Sequence, residues 1–98
     1  MYQSITAIEL EQVLKQEDRA VLDVRDQDAF VAGHIPGAVN IPIDELADQF
    51  STLDKNQPYM IICYAGGRSQ AASEFLAQKG YQVTNVMGGM GAWRGEVK

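Results

Sequence analysis

The chain holds a single cysteine, Cys63, and the residues after it are Tyr64-Ala65-Gly66-Gly67-Arg68-Ser69. The thiolate is the nucleophilic form of cysteine, and it forms where local positive potential stabilises it. Tyr59 to Ile62, just before the cysteine, is apolar and too short for a helix of its own, so it reads as a buried strand. Ser69 to Lys79 reads as a helix closed by Gly80. Cys63 therefore stands where a strand ends and a glycine-rich turn opens a helix. Backbone N–H groups converge in such a turn, and the helix dipole adds positive potential. A thiolate is favoured there, and so is an anion beside it. Gly66 and Gly67 let the backbone turn tightly and approach a ligand closely. Arg68 adds a fixed positive charge, and Ser69 can cap the helix or donate to an anion. The competing reading is an inert core cysteine beside a plain tight turn. A plain turn, however, needs neither the arginine nor the thiol.

Other polar residues are weighed against this loop. His34 is the only histidine, and a cysteine–histidine pair would need it. It stands beside Ile35-Pro36-Gly37 and is read as holding that turn by hydrogen bonds. A thiolate stabilised by N–H groups and Arg68 needs no base. Asp23-Val24-Arg25 reads first as an ion pair at a strand end, and second as a place where Arg25 adds positive field to the site. Trp93, Met87 and Met90 read as packing, with the option of forming one wall of the site.

The elements that position these residues follow from the pattern. Thr6-Ala7-Ile8-Glu9 fits a capping box, with Ile5 and Leu10 as a staple. Ala7, Leu10, Val13 and Leu14 then lie at helical spacing, and the polar run Lys15 to Arg19 ends that helix. Ala20 to Val24 reads as a buried strand, and Asp26 as the cap of a short helix stopped by Gly33. Ala38 to Ile41 reads as a strand, and Asp44 to Phe50 as a helix with Leu46, Ala47 and Phe50 inward. Ser51 to Gln57 is a polar connection, with Pro58 opening the central strand. The helix after Cys63 buries Ala72, Phe75 and Leu76. Tyr81 to Val86 is the last strand, and Met87 to Trp93 a glycine-rich turn into a short helix. Short apolar strands alternating with helices indicate an α/β domain with a parallel sheet covered on both faces. Ligands of such sheets bind at the C-terminal strand ends, where Cys63 and Arg25 both fall.

Ninety-eight residues imply one domain over 1–98, with no room for a second core. A net charge of −5 argues against nucleic acid or anionic membrane as a bulk partner, so an anion site must be built locally. One cysteine excludes an internal disulfide and zinc sites built from several cysteines. A free thiol suits a reducing compartment. With no signal-peptide pattern and no apolar run long enough to span a membrane, the expected location is the cytoplasm.

Four segments taken together resemble the rhodanese homology domain: Asp23-Val24-Arg25, His34-Ile35-Pro36-Gly37-Ala38, the Cys63–Ser69 loop, and Gly88-Gly89-Met90-Gly91-Ala92-Trp93. The resemblance spans almost the whole chain and is that of a stand-alone, single-domain member. It implies a three-layer fold with a five-stranded parallel sheet between helices. It also implies a sulfurtransferase, in which Cys63 attacks the outer sulfur of thiosulfate or another sulfane donor and becomes a persulfide. The sulfur then passes to a thiophilic acceptor such as cyanide, a small thiol or a protein thiol. Tyr64, Ala65, Gly66, Gly67, Arg68 and Ser69 would cradle the persulfide and the departing anion. No metal and no organic cofactor is required by this chemistry.

Two rivals stand beside that reading. A persulfide carrier or interaction module with a dedicated partner differs only in its acceptor. A phosphatase or arsenate reductase is disfavoured by loop length. The cell-cycle tyrosine phosphatases, which resemble this fold, place an arginine six positions after the cysteine; here that position is Ser69, and Arg68 comes one earlier. The shorter loop suits a sulfur atom better than a tetrahedral oxyanion.

Overall fold

A computed structural model describes residues 2–98. Its elements are β1 (Gln3–Thr6), α1 (Ala7–Gln16), β2 (Ala20–Asp23), α2 (Gln27–Ala32), β3 (Val39–Asn40), α3 (Ile43–Gln49), a 3-10 turn (Phe50–Thr52), β4 (Tyr59–Ile62), α4 (Gly67–Gln78), β5 (Val83–Met87) and α5 (Gly89–Ala92). The five strands form one parallel sheet in the order β1-β5-β4-β2-β3. No helix among the described residues is long and apolar enough to cross a membrane.

Alternation along the strands divides the core in two. Leu22, Val24, Ile61, Cys63 and Val83 face Leu46, Leu53, Ala72 and Leu76. Val21, Met60, Ile62 and Val86 face Ala7 and Leu10 of α1, with Ile35 and the partly buried Met90 and Trp93. β2, β4 and β5 thus bury apolar residues on both sides, which is why their short runs carry so few polar residues. Cys63, Val83 and Asn85 occupy the α4 face.

Local signals explain most of the boundaries. The capping box forms as expected: the Thr6 hydroxyl accepts from the Glu9 N–H at 3.1 Å, and the Thr6 N–H donates to the Glu9 carboxylate at 2.9 Å. That donated bond holds the Glu9 carboxyl below the usual range. Ile5 packs with buried Leu10 in the same cluster. Gly80 follows α4 with φ +92°, and the Tyr81 N–H returns to the Leu76 carbonyl at 3.0 Å. The Tyr81 hydroxyl donates to the carbonyls of Phe50 and Leu53, at 2.9 and 3.2 Å, tying the end of α4 to the 3-10 turn.

Three details depart from the sequence reading. β1 was not anticipated as a strand, because Gln3 and Ser4 are polar and exposed; pairing with β5 makes it one. α3 begins at Ile43, so Ile43 packs on the core while Ala47 faces solvent. Asp26 stands at the start of α2, but its side chain makes no cap bond.

Among the described residues, one buried side-chain oxygen is unsatisfied. The Ser73 hydroxyl on α4 is fully buried and has no hydrogen-bond partner among the described residues. Leaving such a group unpaired costs roughly 1–3 kcal/mol. Ser73→Ala is therefore expected to hold stability or raise it by about 1 kcal/mol in urea unfolding, whereas a comparable loss would reveal a partner for the hydroxyl.

Candidate active site

β2 and β4 are neighbours in the sheet, yet the chain leaves them toward opposite edges, to β3 and to β5. A crevice opens at the strand ends where connections diverge in this way. Cys63 follows β4 at that point and Arg25 follows β2.

The turn after Cys63 is shaped by glycine. Gly66, at φ +112°, is in the left-handed region and caps the start of α4. Its N–H donates to Cys63 Sγ at 3.0 Å. Cys63 itself is 2% exposed, with its sulfur beneath the loop. The thiol donates to Ser69 Oγ at 3.4 Å, and the Ser69 hydroxyl reaches Asn85 Oδ1 at 2.6 Å and the Gly66 carbonyl at 3.2 Å. Burial pushes the Cys63 thiol up, but hydrogen bonding with the Ser69 side chain and from the N–H groups of Ser69, Gly66 and Ala65 outweighs it. The net result is a thiol held below its ordinary range.

The outer side of the loop is fastened by α5. The Cys63 carbonyl accepts from the Met90 N–H and the Tyr64 carbonyl from the Gly91 N–H, both at 2.8 Å. A Cβ on Gly89 would lie 2.3 Å from the Cys63 carbonyl oxygen and 2.5 Å from that of Tyr64. No side chain fits there, so Gly89 is dictated by contact with the cysteine loop.

The remaining candidate residues fall in different places. Tyr64 and Ala65 are exposed, and the Tyr64 side chain lies close above Gly91. Gly66 and Gly67 border a cleft of about 460 Å³ that also includes Ser4, Gln70, Asn85 and Met87. Every residue lining this cleft is uncharged. The Arg68 guanidinium lies 3.8 Å from the Asp26 carboxylate, with both side chains more than half exposed. Ser69 is fully buried, and its hydroxyl makes no cap bond to α4. It meets the cysteine from below.

Arg25 is spent on structure. It is 8% exposed, its Nε and Nη2 donate to both oxygens of the buried Asp23 carboxylate, and Nη2 also donates to the Gly33 carbonyl at 2.7 Å. The Asn40 amide donates to the carbonyls of Asp23 and Arg25, at 2.9 Å each. This is the ion pair read first from the sequence, with Nε and Nη2 of the guanidinium engaged by Asp23 and Gly33. His34 holds its turn as expected. Its Nδ1 lies 2.8 Å from the Phe30 carbonyl, and its ring stacks on Phe30. Of the last-turn residues, Met87 walls the cleft, whereas Met90 and Trp93 pack on the opposite core. A second groove of about 520 Å³, lined by Leu14, Ile35, Pro36 and Trp93 among others, includes no residue of the cysteine loop.

Asn85 was missed in the sequence. Its signal was a lone amide at an inward position of a strand, two residues from buried Val83.

Comparison with known proteins agrees with the fold. Residues 6–96 match the Rhodanese-like domain family. The thiosulfate sulfurtransferase GlpE of Pseudomonas putida is 40% identical over 81 residues, covering 82% of this chain and 74% of that protein. The protein of the same name from Coxiella burnetii is 32% identical over 95 residues, covering 96% of this chain and 89% of that one. Among solved structures, a rhodanese-related protein of Thermoplasma volcanium superposes with a TM-score of 0.91 at 38% identity, covering 99% of this chain and 98% of the other. The fold, the order of its motifs and these relatives lead to one conclusion: the chain belongs to the rhodanese-like domain family and is a sulfurtransferase of that type.

Proposed function

We propose that Cys63 carries the transferred sulfur, and that residues 1–98 act as one catalytic domain. The thiolate attacks the outer sulfur of thiosulfate or a related sulfane donor. The sulfur–sulfur bond of the donor breaks, and sulfite leaves with the bonding electron pair. Cys63 then holds a persulfide. An acceptor nucleophile, cyanide or a thiolate, attacks the terminal sulfur and returns Cys63 as a thiolate. Covalent transfer of this kind splits one difficult step into two.

The observation that carries the reading is the contact between the Gly66 N–H and Cys63 Sγ at 3.0 Å, inside a loop that starts α4. Donors already aimed at the sulfur stabilise its negative charge without reorganising. Ala65, Gly66 and Ser69 supply those N–H groups. Tyr64, Gly67 and Arg68 complete the rim. Arg68 is tied only to an exposed aspartate, and such a pair is worth little. It is therefore available to an incoming anion.

The acceptor in this reading is external. The chain has one cysteine and cannot resolve its own persulfide as an internal disulfide. Tyr64 and Met87, 66% and 45% exposed, stand on or beside the loop and favour a protein thiol as the partner. A reducing cytoplasm is the compartment that suits the lone thiol.

Intact mass after incubation with thiosulfate is expected to rise by one sulfur atom, to return to the starting value with cyanide, and to stay unchanged in Cys63→Ser. A folded wild type that gains no mass would sink the thiosulfate reading. Arg68→Ala is expected to slow turnover of thiosulfate about tenfold, the loss of roughly 1.4 kcal/mol of transition-state stabilisation, while sparing a neutral organic persulfide donor. Equal losses with both donors would make Arg68 a residue that shapes the loop.

A further inference from the structure

The Ser69 hydroxyl has one proton and three neighbours that can accept it. Asn85 Oδ1 stands at 2.6 Å, the Gly66 carbonyl at 3.2 Å, and Cys63 Sγ at 3.4 Å. While Cys63 is a thiol, its S–H donates to Ser69 Oγ and the serine proton goes to Asn85. A charged sulfur needs the reverse, a hydroxyl that donates to it. The serine proton must then leave Asn85, and the buried Ser69 oxygen gains by a new donor on its other side.

Asn85 can supply that donor. A half-turn of its amide replaces Oδ1 by Nδ2, which donates to Ser69 Oγ and frees the serine proton for the sulfur. Asn85 also has a route for turning. It borders the cleft beside the loop, in register with Ser4 on β1 and alongside Gln70, both polar. We propose that Asn85 is a positioning residue for Cys63: its amide directs the single Ser69 proton, toward itself when Cys63 is a neutral thiol and toward the sulfur when Cys63 is charged. The proposal rests on Cys63 as the reacting group, and concerns its charge state rather than its substrate.

Few other groups compete for control of that charge. The loop and α4 carry Tyr64, Arg68 and Glu74, all exposed. On β2 and the turn after it, the Asp23–Arg25 pair is closed on itself and Asp26 faces Arg68. β5 and α5 carry no titratable side chain.

The test is the rate of Cys63 alkylation by iodoacetamide as a function of pH, on the folded full chain. It reads the thiolate directly, whether or not sulfur transfer is found, so the two readings fail separately. Asn85→Asp, while ionised, keeps an acceptor that cannot become a donor. It is expected to raise the apparent thiol pKa by about one unit, which is about tenfold slower alkylation near neutrality. In a Ser69→Ala background, most of that shift is expected to vanish. An unchanged pKa, or an equal shift with and without Ser69, would overturn the proposal, the latter because charge alone would explain it. If Asn85→Asp does not fold, Asn85→Leu is measured in the same two backgrounds. A shift that depends on Ser69 supports the relay, and no shift or an equal shift rejects it.

Discussion

The cysteine loop depends on two peptide carbonyls being held from outside. Met90 and Gly91 donate to the carbonyls of Cys63 and Tyr64, and Gly89 allows the approach because it has no side chain. With those oxygens occupied on the α5 side, the amides that follow are free to turn inward. Buried backbone groups are seldom left unpaired, so satisfying the acceptors on one side allows the donors to converge on the other. A thiol in an apolar core is ordinarily hard to ionise. Here the donors overcome burial, and the same residues that shape the turn set the chemistry.

Around that contact, the sheet does the coarse positioning. Apolar residues on both sides of β2, β4 and β5 lock the strands between two cores. The divergence of the chain after β2 and β4 leaves their ends open. The end of β2 is then closed down by the Asp23–Arg25 pair, with Gly33 and Asn40 completing the network. Such buried pairs contribute little net stability, but removing one partner strands a charge. Their effect here is to fix the turn opposite Cys63 while leaving the cysteine loop uncharged except at Arg68.

Much of this was legible in the sequence, and the remainder has a physical reason for being hidden. Short apolar runs marked β2, β4 and β5 because burial on both faces demands them. Thr6 and Glu9 marked the start of α1 because a capping box is a local interaction. β1 was silent: Gln3 and Ser4 have no strand signature, and only the edge of β5 makes them a strand. Ala47 fitted the helical period but lost its inward place to Ile43 when α3 began earlier. At the site, the glycine pair and the cysteine pointed to the loop. The pairing of Arg68 with Asp26 and the contact of Ser69 with Asn85 depend on where distant segments dock, which no local pattern records.

The pairing of β1 with β5 alone has a consequence for how the chain is made. Among the described residues β1 pairs with β5 alone, and β2, β3 and β4 all leave the ribosome between the two. Closing so long a loop costs entropy before any contact repays it, and the sheet therefore completes late. The glycine segment that fastens the cysteine loop follows β5 and arrives later still. Until that segment has emerged and docked, Cys63 is thus an ordinary thiol. It acquires an activated character only with the final closure of the fold, so a partly made protein does not present a reactive sulfur.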